Sequence, residues 1–207
     1  MKNLIFVLFA FFMAVSTATA QQDSLLTLLE SGQDTTISLL PERMMPTQRL
    51  LWGKRGLFRI TGISPLTPKT RERELRMRRR MLTTHQILGY ATLGGMIAQG
   101  IVGQKVYSGD FNLIKTHKNL AIAVYAGYVT TASLSLFAPP KMLSRVKESN
   151  SSIKWHKRLA VVHMTAMLGT FIFGELASKN ERYKSVHRIA ALTAVSAFTA
   201  SMVVMTF

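Results

Sequence analysis

The sequence predicts an all-α membrane fold: an up-and-down bundle of four helices with a short N-terminal arm outside the membrane. Three observations carry this. Of the 207 residues, 48% are hydrophobic, yet Lys and Arg outnumber Asp and Glu by 26 to 10, for a net charge of +16. Charged and apolar residues are segregated: beyond residue 80, four stretches are free or nearly free of charge, Met81–Gly103, Asn119–Pro140, Leu159–Gly174 and Ile189–Phe207. Turn-forming residues separate them at Ser108-Gly109-Asp110, Pro139-Pro140, Ser149–Ser152 and Ser178–Asn180. A spanning helix takes about 20 residues, and antiparallel helices on short links form an up-and-down bundle.

The composition also excludes. Disordered chains combine high charge with low hydrophobicity, which this chain does not. Basic nucleic-acid-binding domains are rarely so apolar, so lipid rather than nucleic acid is the expected partner. Without cysteine there is no disulfide framework, thiolate zinc, thiol-ligated iron–sulfur cluster, covalent c-type haem or Cys nucleophile. No nucleophile–base–acid constellation, Gly-rich phosphate loop or paired-carboxylate motif points to a hydrolase or nucleotide enzyme.

Along the chain, residues 1–20 have the layout of a secretory signal peptide: Lys2, an apolar core Leu4–Val15, and Ala18-Thr19-Ala20 before Gln21. Residues 21–79 form the extracytoplasmic arm. Its first part is polar with short Leu runs broken by Pro41 and Pro46. Residues 49–60 interleave Leu50, Leu51, Trp52, Leu57, Phe58 and Ile60 with Arg49, Lys54, Arg55 and Arg59. That mixture suits a membrane–water interface, or a small helix packing on the domain that follows. Thr67-Pro68 reads as an N-cap followed by a first-turn proline. No breaker follows before Met81, so the first span is expected to project as a charged stalk, with Arg76, Arg78, Arg79 and Arg80 meeting lipid phosphates. Residues 80–207 are the four-span domain. The third span reaches beyond its charge-free core to Ile153 and to Glu175–Ala177.

Two rules disagree on orientation. The signal peptide places the stalk and the 141–158 link outside the cytoplasm, yet that side is the more basic one, which the positive-inside rule would keep in. The local, specific features of the signal peptide decide for an extracytoplasmic arm on a multi-pass protein of the bacterial inner membrane.

All five histidines lie in the four-span region, and His85, His117, His156 and His187 stand near the start of successive spans. Antiparallel helices bring the starts of the first and third to one face and those of the second and fourth to the other. The expected pairs are therefore His85 with His156 and His117 with His187. Four residues after each stands Gly89, Ala121, Ala160 or Ala191, on the same helix face, where a flat macrocycle against the helix needs a small neighbour. Two imidazoles on one iron give a six-coordinate haem suited to electron transfer. Arg80, Lys157 and Arg158 on one side, and Lys118 and Arg188 on the other, are placed to hold haem propionates. His163, two turns after His156, is an alternative ligand or a hydrogen-bonding residue within the bundle.

With these residues the sequence resembles the cytochrome b561 family over about residues 80–207. Its members carry one haem-ligating His per helix, paired first with third and second with fourth, and the Thr84-His85-Gln86-Ile87-Leu88-Gly89-Tyr90 segment is similar to the family's His-x-x-Leu-Gly. The resemblance implies two b-type haems and electron transfer across the membrane, with His85 and His156 on the outer haem and His117 and His187 on the inner one. Quinone or a redox protein would be the partner. The flanking helices and ascorbate site of the eukaryotic members have no counterpart here. Two other readings of the same residues are a haem-free membrane scaffold or assembly factor, and a transition-metal transporter. The transporter would want carboxylates in the spans, where only Glu175 comes near.

Overall fold

The computed structural model describes residues 39–141 and 151–206. The signal-peptide segment, residues 21–38 and the link 142–150 lie outside the described residues. Helix is the only regular structure among those described. Its elements are α1 (Pro46–Trp52), α2 (Leu57–Ile60), α3 (Pro68–Tyr107), α4 (Ile114–Leu136), α5 (Ser151–Lys179) and α6 (Lys184–Thr206). Single 3-10 turns, Phe111–Leu113 and Glu181–Tyr183, lead into α4 and α6.

Helix α3 starts where the sequence indicates. Thr67 caps it by accepting from Thr70 N, and Pro68 occupies the first turn. It runs unbroken for 40 residues, about 60 Å, twice the thickness of a bilayer core. Its first third is the charged stalk. Helix α4 stops at Leu136, short of the expected Pro140, because Pro139 and Pro140 can neither donate backbone hydrogen bonds nor continue a helix. Helix α5 extends past its charge-free core at both ends, taking in Lys154, Lys157 and Arg158.

Three segments are long and apolar enough to cross a membrane: Phe111–Leu136, Ser152–Lys179 and Glu181–Thr206. The fourth expected span, Met81–Gly103, is helical but falls outside that class. Gln86, Gln99 and five glycines dilute its apolar residues. It shares their core all the same. Met96 of α3, Val124 and Tyr128 of α4, Met167 of α5 and Ala194 and Phe198 of α6 form one buried cluster. Ile87, Ile97, Ile122, Val161, Leu168, Phe171 and Leu192 face outward, as expected of helices that meet lipid.

The arm packs on the bundle through one face. A helix C-terminus leaves its last carbonyls without partners, and here five successive carbonyls are satisfied by side chains from the arm and stalk. Thr47 Oγ1 donates to Leu136 O (2.6 Å), Trp52 Nε1 to Phe137 O (3.0 Å) and Gln48 Nε2 to Ala138 O (3.0 Å). Arg78 donates to Pro139 O (2.7 Å) and Arg71 to Pro140 O (3.1 Å). Behind them Glu74 accepts from Arg59, Arg71 and Ser64, and Arg71 Nε donates to Leu39 O at 2.8 Å. Arg71 and Glu74 are 1% and 2% exposed. Burial alone would raise the Glu74 pKa, but hydrogen bonds from Arg59, Ser64 and Arg71 outweigh it and hold the carboxyl below its ordinary value. Of the Arg run expected to meet lipid phosphates, Arg78 is half-buried and donates to a carbonyl instead, while Arg76 pairs with Glu72 at the exposed surface. Arg79 and Arg80 are exposed.

Candidate functional site

His117, His156 and His187, each in the first two turns of its helix, and His85, which the continuous stalk places near the middle of α3, meet in two pairs. The rings of His85 and His156 lie 6.4 Å apart, centre to centre, with their planes at 86°. Those of His117 and His187 lie 6.2 Å apart at 89°. His85 contacts the carbonyl of Thr131, near the end of α4, so one pair lies midway along α3, just past its charged stalk, and near the end of α4. The other lies where α4 starts, beside Gly103 near the end of α3.

Hydrogen bonds fix the tautomers. His85 Nδ1 lies 2.8 Å from Thr131 O, His156 Nδ1 2.8 Å from Ser201 O, and His187 Nδ1 2.9 Å from Thr170 O. A carbonyl only accepts, so each Nδ1 carries the proton and each Nε2 carries the lone pair. An imidazole tied to a backbone carbonyl through one nitrogen and free to ligate through the other is the usual arrangement of a metal-bound histidine. His117 is held by Gln99, whose Nε2 lies 3.1 Å from both Nδ1 and the carbonyl of His117. Gln99 Oε1 is buried without a partner. Because the Gln99 amide nitrogen also donates to the His117 carbonyl, turning the amide over would set two acceptor oxygens against each other, so hydrogen bonds to carbonyls assign the tautomers of His85, His156 and His187 and not that of His117.

No family model, curated protein or solved structure matches the chain.

The pair spacing suits a shared metal atom. A metal–imidazole bond of about 2.0 Å plus roughly 1.1 Å from ring nitrogen to ring centre, taken for both rings, gives about 6.2 Å. Among the described residues no three His, Cys, Asp or Glu side chains converge on one point. A bare ion asks for three or four protein ligands, whereas a haem iron has four ring nitrogens of its own and asks for one or two. Two imidazole pairs fit the second need.

The surrounding residues repeat in a way the sequence conceals. At one constant offset His85 answers to His156, Met96 to Met167 and Gly103 to Gly174. At another, His117 answers to His187, Val124 to Ala194, Tyr128 to Phe198 and Thr131 to Ser201. The contacts repeat too. A methyl on Gly103 would lie 2.8 Å from His117 Cε1, and one on Gly174 would lie 3.0 Å from His187 Cε1. The helix pairs α3–α4 and α5–α6 therefore hold their histidines in equivalent ways. Two equivalences fail. Gln99 stands where the second pair has Thr170, so His117 Nδ1 meets a side-chain amide where His187 Nδ1 meets a backbone carbonyl. His163 stands where the first pair has Thr92, and its Nδ1 meets Tyr128 Oη at 2.6 Å, where the second pair has Phe198. This buried dyad is the hydrogen-bonding role foreseen for His163.

The small residues at i+4 are accommodating. Gly89 is buried, and a methyl there would meet only Thr131 Cγ2 at 3.9 Å. Ala121, Ala160 and Ala191 are half-buried. All five expected propionate partners, Arg80, Lys118, Lys157, Arg158 and Arg188, are exposed. Arg158 lies over the Trp155 ring at 5.2 Å and Arg188 over Tyr107 at 4.8 Å. Sequence reasoning missed Gln99, Gly103, Gly174 and the carbonyls of Thr131, Thr170 and Ser201.

Proposed function

We propose that this protein is a transmembrane electron carrier that holds two b-type haems in an up-and-down four-helix bundle, as in the cytochrome b561 family it resembles. His85 and His156 would hold one haem, and His117 and His187 the other. The supporting observation is that the rings of both pairs are spaced as two imidazoles sharing one metal would be, with three of the four Nδ1 protons given to backbone carbonyls.

A haem at each pair supplies one-electron chemistry between ferric and ferrous iron. The chain's own residues do the rest. His85, His156 and His187 offer Nε2 lone pairs in orientations fixed from the backbone, so ligation by them needs little rearrangement. Met96, Val124, Met167, Ala194 and Phe198 keep water out of the space between the pairs. Arg80, Lys157 and Arg158 at one end, and Lys118 and Arg188 at the other, neutralise propionates. The proposal places the protein in the bacterial inner membrane with the arm outside and residues 80–207 as the haem domain. Electrons pass between quinone or a redox protein on one side and an acceptor on the other.

The test is a reduced-minus-oxidised spectrum with a haem assay on the purified protein. Two haems per chain are expected, and near-perpendicular ring planes call for strongly anisotropic low-spin electron paramagnetic resonance signals. His85→Ala and His156→Ala should each remove the same centre, and His117→Ala and His187→Ala the other. A colourless protein from haem-replete cells refutes the reading in favour of a haem-free scaffold.

A further inference from the structure

The arm grips the bundle with only half of its surface. Gln48, Trp52, Gly53 and Gly56 are buried and face inward. The other side exposes Leu50, Leu57, Ile60 and Ile63 at 70%, 52%, 74% and 71%. Four large aliphatic residues so exposed within so short a segment are unusual for a surface in water. The cations Arg49, Lys54 and Arg55 stand exposed among them. No Asp or Glu occurs between Glu42 and Glu72, while Arg43, Arg49, Lys54, Arg55, Arg59, Lys69 and Arg71 do. Arg59 and Arg71 are neutralised internally by Glu74. The exposed remainder is apolar and positive.

Its height is fixed by the hydrogen bonds already described. Thr47 and Trp52 bond the carbonyls of Leu136 and Phe137, where the spanning segment Phe111–Leu136 ends. Helix α1 is therefore held at the level where a helix leaves the hydrocarbon, inside a headgroup layer some 5–8 Å deep. At that depth a short amphipathic helix can bury aliphatic side chains at the acyl boundary while its cations meet phosphates. Met44, Pro46, Arg49 and Leu50 line an open, mainly apolar groove on this face.

We propose that the outward face of the arm is a docking surface for anionic phospholipid, seated in the headgroup layer of the membrane that α4 crosses. Leu50, Leu57 and Ile60 enter the acyl boundary, and Arg49, Lys54 and Arg55 bind lipid phosphates. The arm then ties the α4 exit to the bilayer surface from one side and to the stalk from the other. The inference is independent of haem.

The chain has no cysteine, so single-cysteine spin labels are unambiguous. The full protein would be labelled at Leu50→Cys or Ile60→Cys, with Lys69→Cys on the exposed start of α3 as control. It would be reconstituted in nanodiscs of phosphatidylcholine with or without phosphatidylglycerol. Expected with phosphatidylglycerol is a several-fold fall in collisions with a water-soluble nickel chelate and a rise with oxygen at positions 50 and 60, with position 69 unchanged. Combining Arg49→Gln, Lys54→Gln and Arg55→Gln should abolish the phosphatidylglycerol dependence. Labels as accessible to nickel at 50 and 60 as at 69 in both membranes would overturn the proposal. So would equal shielding in both membranes, or dipolar broadening that reveals a second copy on this face.

Discussion

A methyl group added at Gly103 tests whether the His117 ring is held by a bound group. The new carbon would lie 2.8 Å from His117 Cε1 and 3.3 Å from Nδ1. At Gly174 the distances to the same atoms of His187 are 3.0 and 3.1 Å. Ordinary contact begins near 3.4 Å, so the rings must retreat by about 0.6 and 0.4 Å. An imidazole with nothing bound to Nε2 makes that move by small changes in its side-chain torsions. One fixed by iron at Nε2 and by a hydrogen bond at Nδ1 must stretch one of the two. Alanine otherwise improves on glycine within a helix by up to about 1 kcal/mol. Gly94→Ala and Gly100→Ala, where a methyl meets nothing within 4 Å, should therefore be neutral or stabilising. In a haem-free protein Gly103→Ala would behave like them. In the haem protein, Gly103→Ala and Gly174→Ala each weaken retention at the His117–His187 centre by about 10–100-fold. The other centre is untouched. The assay is haem per chain after detergent washing, with the low-spin resonance of each centre. Full occupancy and unchanged resonances in both variants would refute the reasoning.

Two further outcomes follow from buried polar groups. Glu74→Ala leaves Arg59 and Arg71 buried without a counter-charge and should destabilise the arm by about 3–5 kcal/mol, read as faster protease cleavage within residues 39–80. Because the folded state lowers the Glu74 pKa, its stabilisation is complete above the ordinary carboxylate value of about 4.3 and is lost as pH falls through the lower folded value. Wild-type arm cleavage by an acid-tolerant protease should stay flat from about pH 8 to 5 and rise only in stronger acid, and a rise already near neutrality would contradict this. Tyr128→Phe copies Phe198, removes the partner of His163 Nδ1 and should cost about 1–3 kcal/mol in thermal unfolding. An unchanged melting temperature would mean that the dyad contributes nothing to stability.

Much of this was legible because it is local. Thr67 and Pro68 mark a helix start through their own chemistry, and Pro139-Pro140 marks an end. The histidine pairing follows from one residue per span and alternating helix direction. What stayed hidden depends on contacts between distant segments. The donors Thr47, Gln48, Trp52, Arg71 and Arg78 lie far along the chain from 136–140, and their acceptors are backbone atoms that no residue type advertises. Helix α5 was legible beyond its charge-free core, from Ile153 to Ala177, since Lys154, Lys157 and Arg158 extend from a helix end without breaking it. The internal repeat is masked by a change of offset between α3–α5 and α4–α6, and by replacements such as Thr92 for His163. Glycines at 103 and 174 looked like ordinary membrane-helix glycines until the imidazoles were seen to lie against them.

The carbonyls that receive the imidazole protons have a feature in common. Thr131, Thr170 and Ser201 each turn their own hydroxyl back to a carbonyl about one turn earlier, at 2.8, 2.8 and 2.7 Å to Gly127, Ala166 and Phe198. Such back-bonding bends a helix slightly, and a carbonyl tilted away from the axis presents its second lone pair to a neighbour. The hydroxyl then acts on the histidine through the backbone without touching it. Thr131→Val keeps the shape and removes the hydroxyl, so the His85 bond to Thr131 O should lengthen and retention of the haem proposed at His85 and His156 fall by about tenfold. Thr130 is the control. Its Oγ1 bonds Ala126 O at 2.8 Å in the same manner, but it is exposed and no histidine bonds its carbonyl. Thr130→Val should therefore leave both centres intact. Equal loss in the two variants would show that the threonines act through general helix stability, and the back-bond would have no part in orienting the ligand.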